Sequence, residues 1–132
     1  MTLFSNTVNL RGFLGKNAEV PPSDGITGDA YAVLLLATVS GIWDLSTNEW
    51  TPRTDWHRII CPGPFFCGMV RGMRRGDYLE VEGELRSRDQ PRSVVVAGES
   101  RSVSKAVYAV HAIRIQRLDR PDALVDFGDD HG

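Results

Sequence analysis

The chain has 132 residues, 42% of them hydrophobic, and a formal net charge of −2 at pH 7. That is apolar material for one core and too little length for several, so a single domain is expected. The first dozen residues lack the basic start and apolar run of a secretory leader, and no stretch approaches the roughly 20 apolar residues of a membrane span; the expectation is a cytoplasmic protein with no membrane partner.

Taken in chain order, Thr7 to Phe13 alternates, with Val8, Leu10 and Gly12 on one face and Asn9, Arg11 and Phe13 on the other, which predicts a first strand. Lys16 to Asp29, with Pro21-Pro22 and Asp24-Gly25, reads as a loop. A second strand is predicted over Ala30 to Val39; its Val33-Leu34-Leu35-Leu36 run lacks alternation, which implies cover on both faces, some of it from another subunit. A hairpin follows between Gly41 and Arg53, turning through Thr47-Asn48-Glu49, and Pro52 precedes a third strand. Cys61 and Cys67 have no second cysteine pair and no suitably spaced histidine pair beside them, so they read as buried reduced thiols, with no metal and no cofactor.

Beyond Pro64 the period changes. Phe66, Met69, Val70 and Met73 recur at helical spacing, with Pro64 suited to a helix start and Gly76 to its end. Tyr78 to Leu85 alternates strictly, with Leu79, Val81, Gly83 and Leu85 predicted inward. A long polar hairpin is expected from Arg86 to about Ser102, with Val94-Val95-Val96 as an arm within it, and a final strand over Val103 to Leu118. Five strands with one helix between the third and fourth is the plan of an OB-fold, a mainly β, five-stranded Greek-key barrel, over residues 1–118. Residues 119–132 hold five aspartates against one arginine, a net −4, and read as a short disordered acidic tail. The other 118 residues carry 14 Lys+Arg against 12 Asp+Glu, a mildly basic body suited to nucleic acid.

The chemistry concentrates in Thr54-Asp55-Trp56-His57-Arg58-Ile59-Ile60. On a strand Trp56, Arg58 and Ile60 share one face, and Asp55, His57 and Ile59 the other. An indole two residues from a guanidinium can stack a base and neutralise its phosphate, which is what sequence-tolerant single-strand binding needs. The competing reading is a buried tryptophan beside an arginine that reaches solvent. All three tryptophans, Trp43, Trp50 and Trp56, lie within fourteen residues around a loop, beside Arg53 and Arg58, as a stacking surface would require. For Trp43 and Trp50 the alternative is a cross-strand aromatic that caps the hairpin. The histidines His57, His111 and His131 form no triad or metal constellation with the cysteines, so no enzyme is expected.

Several segments, in order, resemble the bacterial single-stranded DNA-binding protein (SSB) family: Asn6-Thr7-Val8-Asn9-Leu10-Arg11-Gly12, Leu14-Gly15, Glu19-Val20, Leu36-Ala37-Thr38, Thr54-Asp55-Trp56-His57-Arg58, Arg74-Arg75-Gly76, and Val81-Glu82-Gly83-Glu84-Leu85-Arg86-Ser87-Arg88. The resemblance covers residues 6–118. It implies an OB-fold in a homotetramer, with a dimer as the smaller alternative, joined through the first strand (Val8, Leu10) and His57. It implies single-stranded DNA as partner, protected without catalysis during replication, recombination or repair at the nucleoid. Trp56 takes the place of the family's stacking tryptophan, Arg58 that of a backbone contact, Arg75 that of a basic residue before glycine, and Arg86 and Arg88 that of its basic strand end.

The chain also departs from the family. Pro62 and Asp89-Gln90 stand where aromatics are common, so two stacking platforms are missing, and the hairpin tryptophan falls at Ile42 beside Trp43. The end, Asp126-Phe127-Gly128-Asp129-Asp130-His131-Gly132, lacks the family's usual tip, which puts recruitment of replication and repair proteins in doubt and leaves the tail as a weak competitor for the basic groove. The second functional class is an OB-fold accessory subunit of primosomal type that mainly contacts protein.

Overall fold

The computed structural model describes residues 3–121, and the expectations for residues 122–132 of the acidic end lie outside them. Within that range β1 (Val8–Leu14), β2 (Tyr31–Asp44), β3 (Glu49–Pro62), β4 (Tyr78–Val96) and β5 (Glu99–Leu118) close into a barrel in the order β1-β2-β3-β5-β4. Every pairing is antiparallel except β3 with β5. A single helix, α1 (Gly63–Val70), lies between β3 and β4, which completes an OB-fold. No helix among the described residues is long and apolar enough to cross a membrane.

Strand alternation builds the core. Leu14, Ala32, Leu34, Leu36, Ile59, Cys61, Leu79, Val81, Val110 and Ala112 point inward, and Cys67 and Val70 of α1, with Met73 just beyond it, close one end. Each fully buried Leu, Ile or Val contributes roughly 1.5–3 kcal/mol relative to exposure. Both cysteines are free and buried, and burial, with Cys67 as a smaller cause, pushes the Cys61 thiol up to about 12. At Gly83 a Cβ would stand 2.3 Å from the His111 carbonyl oxygen, so only glycine lets β4 approach β5 there. The register shifts at this point: Glu82 faces Arg114 and Gly83 faces Ala112, leaving Ile113 as an extra residue and moving the inward position on to Ile115.

Three expectations change. The helix ends at Val70, and Met73 belongs to a turn whose backbone N–H donates to the Val70 carbonyl, because Gly72 and the left-handed Gly76 favour chain reversal over continuation. Leu85 keeps the inward side, opposite Val110, but is 45% exposed, since it lies at the barrel mouth, where the Asn6 side chain both donates to its carbonyl (2.8 Å) and accepts from its N–H (2.9 Å). The largest change concerns the hairpins. β2 and β3 continue to Asp44 and Glu49, and β4 and β5 continue to Val96 and Glu99, meeting through Ala97-Gly98 with both residues left-handed. Such a two-residue turn matches the twist of a long β-ribbon. Two ribbons therefore extend from the barrel, one from β2–β3 and one from β4–β5.

Candidate nucleic-acid interface

In β3 the alternation sorts the residues of the Trp56 segment. Ile59 and Cys61 point into the core, so Trp56, Arg58 and Ile60 point outward. The register carries this outer face along the ribbon: Trp43 is opposite Trp50, Ala37 opposite Trp56, Leu35 opposite Arg58 and Val33 opposite Ile60. All three tryptophans thus share one face with Arg58. The indoles are about half exposed, Trp56 at 46%. Glycines let two of them pack closely against the backbone: a Cβ on Gly15 would come within 2.2 Å of the Trp56 ring, and one on Gly41 within 2.1 Å of the Trp50 ring. Beyond the barrel this face, made of Val39, Gly41, Trp43, Trp50, Pro52 and Thr54, carries no charge.

Arg53 does not join it. It falls on the opposite face of the ribbon, where its Nε donates to Asp55 Oδ1 at 3.2 Å, and Asp44 and Glu49 share that face. His57 is also on the inner alternation, with Nε2 2.8 Å from Thr38 Oγ1 in a partly buried hydrogen bond. Val8 and Leu10 pack their side chains against the core cluster. Arg75 sits on the turn after α1, where its backbone N–H donates to Asn17 Oδ1 at 2.9 Å.

The second ribbon has the complementary character. Pairing places Arg86, Arg88, Gln90, Arg92, Val94 and Val96 on one face with Ala109, Val107, Lys105, Val103, Arg101 and Glu99. Five cations, Arg86, Arg88, Arg92, Arg101 and Lys105, therefore share one side, accompanied there by the acid Glu99. The reverse side, from Ser87, Asp89, Pro91, Ser93 and Val95 to Ser100, Ser102, Ser104, Ala106 and Tyr108, holds no cation. Arg92, Arg101 and Lys105 are not singled out by the sequence, because a polar hairpin exposed on both faces carries no burial pattern to tell which side each residue takes.

The two outer faces meet at the barrel wall, where Tyr31, Arg58, Ile60, Arg86, Ser87, Arg88, Val107, Ala109 and His111 line a cleft of about 350 Å³. Arg58, Arg86 and Arg88, predicted from separate segments, come together here. Arg86 pairs with Glu84 at 3.0 Å, whereas Arg58 and Arg88 make no ion pair among the described residues. Tyr31 and His111 were not anticipated. Burial, then the Arg86 charge, and more weakly that of Arg58, hold the His111 imidazole below its ordinary pKa despite an opposing pull from Glu84. A neighbouring hollow, which shares Tyr31 and Arg58, is lined by Glu19 and Asp29. An anion is steered away from that side and toward the arginines.

A closed five-stranded barrel with one helix between its third and fourth strands, and here a β-ribbon on each side of a cationic cleft, defines an OB-fold. No family model matches the sequence. Among solved structures, the chain is similar to an SSB from Plasmodium falciparum in complex with single-stranded DNA, at 26% identity and a TM-score of 0.67 over 90% of this chain and 100% of that one. It shares its fold with a deletion mutant of the single-stranded DNA-binding protein from Thermus aquaticus (21% identity, TM-score 0.65, 87% of this chain and 51% of that one). The same holds for a small single-stranded DNA-binding protein from Streptomyces coelicolor (18% identity, TM-score 0.54, 84% and 92%). The resemblance carried by the sequence segments thus holds in three dimensions: the chain is similar to a divergent bacterial-type single-stranded DNA-binding protein.

Proposed function

We propose that this protein binds single-stranded DNA with little base preference and protects it, without catalysis, in replication, recombination or repair. The observation that carries this reading is the one outer surface on which an uncharged tryptophan face and a five-cation face meet in an arginine cleft. Aromatic faces stack any base and cations follow the phosphates, so such a surface holds a strand without reading its sequence. The SSB of Plasmodium falciparum, similar to this chain along its whole length, is seen in complex with single-stranded DNA. Titration with oligo-dT, followed by tryptophan fluorescence, tests the reading: quenching that weakens as salt rises is expected, and unchanged fluorescence across the titration contradicts it.

The same reading includes a homo-oligomer, with a tetramer as the expected state. Among the described residues, β1 is paired over residues 8–12 with β4 alone, so its other edge is available to a second copy. Because Val8 and Leu10 point toward the core, β1 would contribute its backbone edge, and His57 the Thr38 side of the barrel. Val33 and Leu35 add partly buried apolar surface on β2. Light scattering at micromolar concentration checks this; a monomeric mass contradicts it.

A further inference from the structure

We infer that the cleft between Arg58 and Arg88 takes one nucleotide out of the bound strand, with its base against Tyr31 and its phosphate between the guanidiniums. This rests on the single-strand reading above and adds a residue to it. An extended strand following two open ribbons needs stacking faces and charges, but no concavity. Here the wall is concave, and its volume of about 350 Å³ lies in the range of small-ligand pockets, roughly 300–1,000 Å³.

The lining divides by chemistry. Tyr31, Ile60, Val107 and Ala109 offer apolar surface, and Arg58, Arg86 and Arg88 offer charge, while among the described residues no carboxylate lines the cleft. Arg58 and Arg88, without ion pairs among the described residues, have donors to give a phosphate. Tyr31 is 50% exposed at the first position of β2, directly opposite Pro62, so its ring has a free face beside a residue that offers none. His111, opposite Glu84 and paired also to Ile60, closes the wall with its ring. The acids of the adjoining hollow, Glu19 and Asp29, leave the arginine side as the place for the phosphate.

The test measures binding of dT20 by the full chain and by Tyr31→Leu, Tyr31→Phe and Trp56→Ala, each checked for a cooperative thermal melt. Tyr31→Leu is expected to lower affinity about tenfold, as loss of one stacked base does, and Tyr31→Phe to stay within about twofold of the parent. A dT20 carrying one 5-iododeoxyuridine should photocrosslink to Tyr31; if Tyr31→Leu does not fold, that crosslink on the unaltered protein decides instead. If Tyr31→Leu binds like the parent while Trp56→Ala loses affinity, the nucleotide cleft is wrong and single-strand binding stands. If the parent itself does not bind dT20, both fall.

Discussion

The two ribbons that leave the barrel are built alike and loaded oppositely. Each is a two-stranded extension whose residues beyond the barrel are mostly exposed, and each has a proline, Pro52 or Pro91, where one edge has no partner. Yet the β2–β3 ribbon concentrates aromatic surface on its outer face and puts Asp44, Glu49 and Arg53 on the other, whereas the β4–β5 ribbon gathers five cations on its outer face. Stacking energy and charge neutralisation are thereby separated in space. On the proposed function, an uncharged indole face beyond the barrel makes the attraction for bases there independent of salt, and the cationic face, with Arg58 at the barrel wall, carries the salt-dependent part.

The separation is open to breakage. The largest effect is expected from reversing charge on the cationic ribbon: Arg88→Glu with Arg92→Glu should lower affinity for oligo-dT by on the order of 100-fold at low salt, with a shallower salt dependence. Next, Trp56→Ala should cost about 1–3 kcal/mol of binding without unfolding the chain, because a half-exposed ring adds little to the core; calorimetric titration and a thermal melt measure both. A smaller effect is expected from Gly15→Ala. The new methyl displaces the Trp56 ring, a movable group, so the fold should persist while affinity falls by about 1 kcal/mol or less, read by the same titration. The smallest belongs to Arg53→Ala, which removes a cation already paired with Asp55 on the wrong face and should change affinity by less than about twofold.

Arg53 marks where the sequence was legible and where it was not. In the barrel parts of β3 and β4, where one face is buried, the alternation was readable: Leu79, Val81 and Gly83 of β4, and Ile59 against Trp56 and Arg58 in β3, fall where the pattern puts them. The barrel plan and its helix followed from those segments. The hairpins were expected too, but not their faces, because residues exposed on both sides carry no burial pattern, so the single-sided placement of Arg92, Arg101 and Lys105 was invisible. Proximity in sequence then misassigned Arg53, which is three residues from Trp56 and therefore on the opposite face. Tyr31 and His111 depend on register between distant strands, Tyr31 against Pro62 and His111 against Ile60 and Glu84, which no local signal contains.

Two variants in one experiment test most directly the division of labour between the ribbons. The slope of log affinity against log salt for oligo-dT is measured for the parent, for Arg88→Gln with Lys105→Gln, and for Trp50→Ala with Trp56→Ala. Removing two cations should reduce the magnitude of the slope by about 1.4, at about 0.7 for each phosphate of a single strand that is no longer neutralised. The paired tryptophan variant should bind more weakly at every salt concentration with the slope of the parent. Equal changes of slope in both variants, or none in the cationic one, would contradict the account.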